Sequence, residues 1–236
     1  MNQYPLLILH GWGSNSARWR KVTDLLKERG LEALVFDLPG FGIVPSPENP
    51  WTRADYLNWI FQKTKEKNWE KFNLLGHSFG GGLSTKIAVA FPEKIEKLIL
   101  CAPAIIKRKR LKTYLFYWLA YFGKKIFSLP GLTSFQPYAQ KLIYKLAGAR
   151  DYYVADGMMK ETMKKMGEEN LEGMLEKIKV PTLIIWGQKD DVLPVKDAYQ
   201  IQEKIEGAEL EIIPKVKHSP HREAPEQLAE IISQFL

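Results

Sequence analysis

The sequence predicts an α/β protein: a mostly parallel sheet flanked by helices and interrupted by an inserted helical cap. Three observations predict it. Short apolar runs, flanked by Gly, Pro or Asp, recur along most of the 236 residues. Their apolar residues are contiguous rather than alternating, which suits strands covered on both faces. Helical patterns fill the gaps between them, and strands alternating with helices imply βαβ units.

In chain order the strand-like runs are Leu6–Leu9, Ala33–Phe36, Phe72–Leu75, Leu98–Leu100, Leu183–Trp186 and Leu210–Ile213. The helical patterns are Trp19–Glu28, Thr52–Lys67, Gly81–Ala90, Lys196–Ile205 and Ala224–Phe235. Between the fourth and fifth runs the pattern changes. Residues 103–179 show no good strand. Leu111, Leu115, Trp118, Leu119 and Phe122 fall on one helical face, as do Leu171, Met174, Leu175 and Ile178. The expected organisation is a core of residues 1–102 and 180–236 with a helical cap at 103–179. Insertions beyond the carboxyl ends of strands commonly sit over the ligand crevice of an open α/β sheet.

The insertion is also set apart by charge. The chain carries a net +7, and residues 103–179 alone hold 15 Lys/Arg against 7 Asp/Glu. From Cys101 to Arg150 there are ten basic residues, ten aromatics and no acid. The run Lys107–Arg110 is either a solvated face or a contact for an anionic partner. A membrane surface would also explain the aromatics, and an acyl carrier protein would explain the charge. No recognisable nucleic-acid module is present, which argues against nucleic acid as the partner. One cysteine excludes an intramolecular disulfide framework and any multi-cysteine zinc site. No stretch reads as a secretion signal or reaches the ~20 apolar residues of a membrane span, so a cytoplasmic protein is expected.

The chemistry concentrates at Gly76-His77-Ser78-Phe79-Gly80, which follows one strand pattern and precedes a helical one. A serine in such a strand–turn–helix context sits at a nucleophile elbow. Gly76 and Gly80, two positions to either side, suit the sharp turn because side chains there would collide with the serine or with the adjacent strand and helix. The helix that follows aims its N-terminus at the serine, which favours an anion beside it. A hydroxyl nucleophile needs a base, and the base an orienting acid. Asp190 lies just past the fifth strand and His218 just past the sixth, giving the order Ser, acid, His. Asp191 adjoins Asp190 and is the alternative acid. The Gly-x-x-Asp-x-x-x-Pro spacing favours Asp190.

These residues carry a resemblance. Together with Leu9-His10-Gly11-Trp12-Gly13, Asp37–Gly42, Val180–Pro194 and His218–Pro225, they resemble the α/β-hydrolase superfamily over essentially the whole chain. The His-Gly-Trp-Gly start and helical cap are similar to the small carboxylesterase branch, which includes esterases of pimeloyl-acyl-carrier-protein methyl ester. The resemblance implies Ser78, Asp190 and His218 as catalytic residues. It implies the backbone N–H groups of Trp12 and Phe79 as the oxyanion hole. Neither metal nor cofactor is expected. Two departures stand out. Only four residues precede the strand-like stretch Pro5–Leu9, where the family usually has two more strands, so a sheet of about six is expected. The family glycine before the catalytic histidine is Lys217 here, which changes the loop around His218.

The expected activity is that of a serine carboxylesterase on short to medium acyl esters, acting through an acyl-enzyme. The same triad also serves C–C bond, thioester or amide hydrolysis and acyl transfer, and a hydrolase scaffold can serve as a ligand-binding or membrane-peripheral protein. Serine argues against dehalogenase and epoxide hydrolase chemistry. The basic cap argues against an aminopeptidase, whose substrate amine would want a carboxylate. Trp118, Met159 and Met163 are candidate substrate contacts, although a Met cluster is more often core filler. His10 is expected to pack or hydrogen-bond beneath the oxyanion loop, His77 to flank the elbow, and His221 to lie on the surface at a helix start. Asp37 is expected in a turn, and Cys101 as a small buried hydrophobe.

Overall fold

The computed structural model describes residues 4–107 and 157–236. Its centre is a six-stranded, all-parallel sheet in the order β2-β1-β3-β4-β5-β6. The strands are β1 (Leu6–Leu9), β2 (Ala33–Phe36), β3 (Phe72–His77), β4 (Ile95–Cys101), β5 (Thr182–Gly187) and β6 (Glu209–Ile213). Each expected run is a strand, and the sheet has the expected number. The helices are α1 (Arg20–Glu28), α2 (Arg53–Glu66), α3 (Phe79–Ala90), α4 (Gly157–Glu168), α5 (Lys196–Lys204), α6 (Pro220–Glu223) and α7 (Pro225–Phe235).

The contiguous apolar runs are explained by two cores, one on each face of the sheet. Leu6, Ile8, Leu75, Ile99, Leu183 and Ile185 face Val22 and Leu26 of α1 and Leu228 and Ile232 of α7. Their sequence neighbours Leu7, Leu9, Leu74, Leu98, Leu100, Ile184 and Trp186 face the other way, toward α2, α3 and α5. Because side chains alternate across a strand, a sheet covered twice demands apolar residues at every position. The edge strand β6 departs from this, with Glu209 and Glu211 exposed, and charge on an edge discourages pairing with other chains.

Helix starts follow local chemistry. Thr52 caps α2 in a reciprocal capping box with Asp55. One expectation changes. The face Leu171, Met174, Leu175, Ile178 is not α-helical but a 3-10 turn over Glu172–Lys177, with Met174 N–H donating to Leu171 O and Ile178 N–H to Leu175 O. Leu171, Leu175 and Ile178 are still buried. An i, i+3 apolar spacing satisfies either helix type, and the chain has only a short path here before β5 begins.

The sheet order reverses between β1 and β3, because β1 leads to β2 on one side and β3 lies on the other. Ligands of open α/β sheets bind at such a switch point, beyond the carboxyl ends of the strands. Trp12 follows β1 there and Ser78 follows β3. Of the expected cap, residues 108–156 lie outside the described residues, and Trp118 with them. Its return segment is described: α4 docks on the start of α2, where Trp51 N–H donates to Thr162 Oγ1 (3.0 Å) and Lys165 Nζ donates to Pro50 O (3.0 Å).

Candidate active site

Ser78 sits between β3 and α3 with φ +52° and ψ −112°. Non-glycine residues avoid this region, and holding one there costs of order 1–3 kcal/mol, which the surroundings must offset. The elbow glycines permit the turn. A Cβ on Gly76 would lie 2.3 Å from Ser84 Oγ, and one on Gly80 would lie 2.1 Å from Leu9 O. The strand, the turn and the helix are therefore pressed together more closely than any side chain tolerates.

His218 reaches Ser78 from the loop after β6. Its Nε2 lies 3.1 Å from Ser78 Oγ, and its Nδ1 lies 2.7 Å from Asp190 Oδ2. The consistent assignment has Ser78 O–H donating to Nε2 and Nδ1–H donating to the carboxylate. Asp190 Oδ1 is itself held by the N–H groups of Val192 (2.8 Å) and Leu193 (2.7 Å). The Asp190 side chain is fully buried, while that of His218 is 15% exposed. The adjacent Asp191 points away, pairing with exposed Lys217 at 3.2 Å. Of the two candidate acids, only Asp190 faces the imidazole. Lys217 leaves His218 within reach. The close approach is instead made at Gly187, where a Cβ would lie 2.0 Å from Lys217 O.

Trp12 and Phe79 bracket the serine. Gly11 is so close that its Cβ would meet Ser78 Cβ at 3.2 Å. Phe79 is the first residue of α3, so helix geometry leaves its N–H without an intrahelical acceptor. Their rings meet edge to face at 5.2 Å, and Phe41 joins at 4.9 Å from Trp12. Tyr56 lies 5.5 Å from Phe79 and donates its O–H to Pro39 O (2.9 Å). Burial raises the Tyr56 pKa, so it stays a neutral donor. Met159 of α4 is buried in the same cluster, its sulfur 2.4 Å from where a Cβ of Gly40 would stand. Met163 is half-buried on that helix. The described surroundings of Ser78 are thus apolar and aromatic on one side and polar on the other.

The remaining histidines are structural in placement. His10 Nδ1–H donates to Gly11 O (2.8 Å), and its Nε2 accepts from Leu38 N–H (3.0 Å), beneath the Trp12 loop as expected. Burial lowers its pKa against the opposing pull of the Gly11 carbonyl and the Asp37 charge. Asp37 accepts the N–H groups of Ser16 and Ile43 in its turn. Cys101 is buried, and burial raises its thiol pKa. His221 is a correction: it starts α6, but it is 3% exposed and stacks on Trp19 at 4.3 Å with the planes 4° apart. Burial drives its pKa down to about 2. Sequence reasoning also missed how His77 and Glu223 engage the His218 loop. His77 Nε2 lies 2.8 Å from His218 O, and Glu223 accepts the N–H groups of Lys217 and Ser219.

Among the described residues no group of three or more His, Cys, Asp or Glu side chains is arranged to hold a metal ion. No helix among them is long and apolar enough to cross a membrane.

Comparison with known proteins agrees with the fold. The family model described as serine aminopeptidase, S33, matches residues 3–225. The chain belongs to this family of α/β hydrolases. A pimeloyl-[acyl-carrier protein] methyl ester esterase of Wigglesworthia glossinidia brevipalpis is 28% identical, over 98% of this chain and 93% of the relative. A putative esterase/lipase of Mycoplasma genitalium is 25% identical, over 98% and 88%. Among solved structures, a hydrolase from Pseudomonas aeruginosa superposes with a TM-score of 0.74 over 100% of this chain and 91% of its own, at 19% identity.

Proposed function

We propose that this α/β hydrolase is a serine carboxylesterase acting on short to medium acyl esters. The observation that carries the reading is the unbroken chain of hydrogen bonds Ser78–His218–Asp190, at 3.1 and 2.7 Å. Ser78 Oγ attacks the ester carbonyl carbon and passes its proton to His218 Nε2. The carbonyl oxygen becomes an oxyanion, held by the N–H groups of Trp12 and Phe79. Collapse of the tetrahedral adduct breaks the C–O bond, and His218 returns the proton to the leaving alkoxide. Water then attacks the acyl-enzyme, giving its proton to His218. The carboxylic acid leaves and Ser78 regains its proton. Asp190 holds the Nδ1–H tautomer and stabilises the imidazolium.

The family takes its description from serine aminopeptidases. The ester reading rests instead on the esterase relatives and on the positive charge of residues 103–179. A p-nitrophenyl ester series from acetate to palmitate, beside an aminoacyl p-nitroanilide, tests it. Ester turnover by the wild type and none by Ser78→Ala is expected, with a peak at short or medium chains. Anilide cleavage without ester cleavage would overturn it.

The charge favours an extension of the same reading: the ester is presented by an acidic acyl carrier protein docked against the basic segment. The expected result is a carrier-linked methyl ester turned over faster than the free ester, with the advantage erased at high salt.

A further inference from the structure

The carbonyl of His218 and the amides on either side of it are each held by a side chain. On the buried side, His77 Nε2 lies 2.8 Å from the backbone oxygen of His218. A carbonyl only accepts, so Nε2 carries the hydrogen and Nδ1, which has no hydrogen-bond partner among the described residues, is bare. On the outer side, one carboxylate of α6 takes both flanking amides: Lys217 N–H donates to Glu223 Oε2 (2.9 Å) and Ser219 N–H to Oε1 (3.2 Å). His77 immediately precedes Ser78 in the chain. Its bond therefore ties the nucleophile's own turn to the base's main chain, across β4 and β5.

We propose that His77 and Glu223 are positioning residues that set the distance from His218 Nε2 to Ser78 Oγ. This rests on the reading of Ser78 and His218 as nucleophile and base. Neither positioning residue touches the reacting atoms; each acts through the backbone of 217–219. Backbone hydrogen bonds otherwise anchor this loop only near its ends among the described residues: Lys189 N–H donates to Val216 O (2.8 Å), and Ser219 O accepts from the N–H groups of Arg222 (2.9 Å) and Glu223 (3.1 Å). Anchors at the two ends leave the middle of the loop to be set by the His77 and Glu223 side chains, and a misplacement of ~1 Å at a reacting group costs about 100-fold in rate. His77 suits the task because it does not titrate in use. Burial, with His218 adding repulsion, lowers its pKa to about 3, so the donor arrangement persists at neutral pH.

The test compares His77→Phe, His77→Gln and Glu223→Ala with the wild type on the best p-nitrophenyl ester, per folded molecule as judged by circular dichroism and melting. Phe keeps the ring and removes the donor. Gln restores an N–H near the Nε2 position. His77→Phe is expected to lose about 10–100-fold in kcat with KM within about threefold, and Glu223→Ala about 3–10-fold. His77→Gln is expected to recover most of the loss, which a packing role alone would not give, since Phe fills the space better. Wild-type kcat in either His77→Phe or Glu223→Ala, or a His77→Gln no better than Phe, overturns the inference. If His77→Phe is not folded, Glu223→Ala decides: its substitution is in an exposed contact, and an unchanged kcat there counts against the inference. Ser78→Ala run in parallel keeps the two readings apart. Full turnover without Ser78 sinks the catalytic assignment itself, whereas a dead Ser78→Ala beside a fully active His77→Phe sinks only the positioning.

Discussion

The two sides of Ser78 are built by different physics. On the base side, Asp190, His218, His77 and Glu223 are joined by directional hydrogen bonds of 2.7–3.2 Å, with nearly every donor and acceptor matched. On the other side, Trp12, Phe41, Phe79, Tyr56 and Met159 meet by edge-to-face aromatic contacts and apolar packing. Hydrogen bonds fix distance and angle, so the base side tolerates little change. Packing fixes volume, so the aromatic side tolerates substitution but changes what fits. The proposed reaction needs both: a proton path of fixed geometry and a wall whose shape can vary with the acyl group.

The most severe way to probe this contrast is on the base side. Asp190→Asn keeps the shape and an oxygen for the Val192 and Leu193 amides, but it turns an N–H toward His218 Nδ1. The imidazole is then pushed into the wrong tautomer, and kcat is expected to fall about 10³–10⁴-fold in stopped assays of ester hydrolysis. Asp191→Asn, exposed and paired with Lys217, is expected to stay within about twofold. Equal losses in the two variants would erase the distinction between these neighbours.

A gentler probe falls on the aromatic side. Met159→Ala removes a buried side chain from the cluster and is expected to cost about 2–5 kcal/mol in chemical denaturation. In the folded protein the ester profile should move toward longer chains, with kcat on the best ester within about tenfold. An unmoved profile would place Met159 in the core and outside the acyl site.

The smallest effect concerns pH. His77 and His221 are held neutral by burial, with pKa about 3 and about 2 against an ordinary 6.5. A depressed histidine pKa means the unfolded chain binds protons that the folded one refuses. Stability is thus complete above about pH 6.5 and declines as pH falls below it. Melting temperature should drop steadily between about pH 6.5 and 4, and His221→Phe, which keeps the stack on Trp19 but cannot titrate, should flatten the slope. An equally steep slope in that variant would assign the acid lability elsewhere.

Much of this was legible from residue order. Each of the six runs is a strand, and the glycines of Gly76–Gly80 announced a close-packed turn whose serine indeed has positive φ. His10 lies beneath the Trp12 loop as expected. His221 was not legible. Its helix-start position suggests a surface, but Trp19, two hundred residues earlier in the chain, buries it through the packing of the Ser16–Trp19 turn against α6. The 3-10 turn at Glu172–Lys177 is not distinguishable from an α-helix in the sequence, because apolar spacing of three and four fits both. No periodicity marks a bond such as His77 to His218 O, which spans 141 residues.

The sequence by itself determined the alternation of strands and helices, the glycines without which the elbow cannot close, and the order of serine, acid and histidine. These are local matters of side-chain pattern and steric room. The tertiary structure alone decided which of two adjacent aspartates faces the imidazole, which histidines are buried, and what holds the base loop in place. A hydrogen bond acts over about 3 Å, and only the folded sheet brings residues more than a hundred positions apart within that distance.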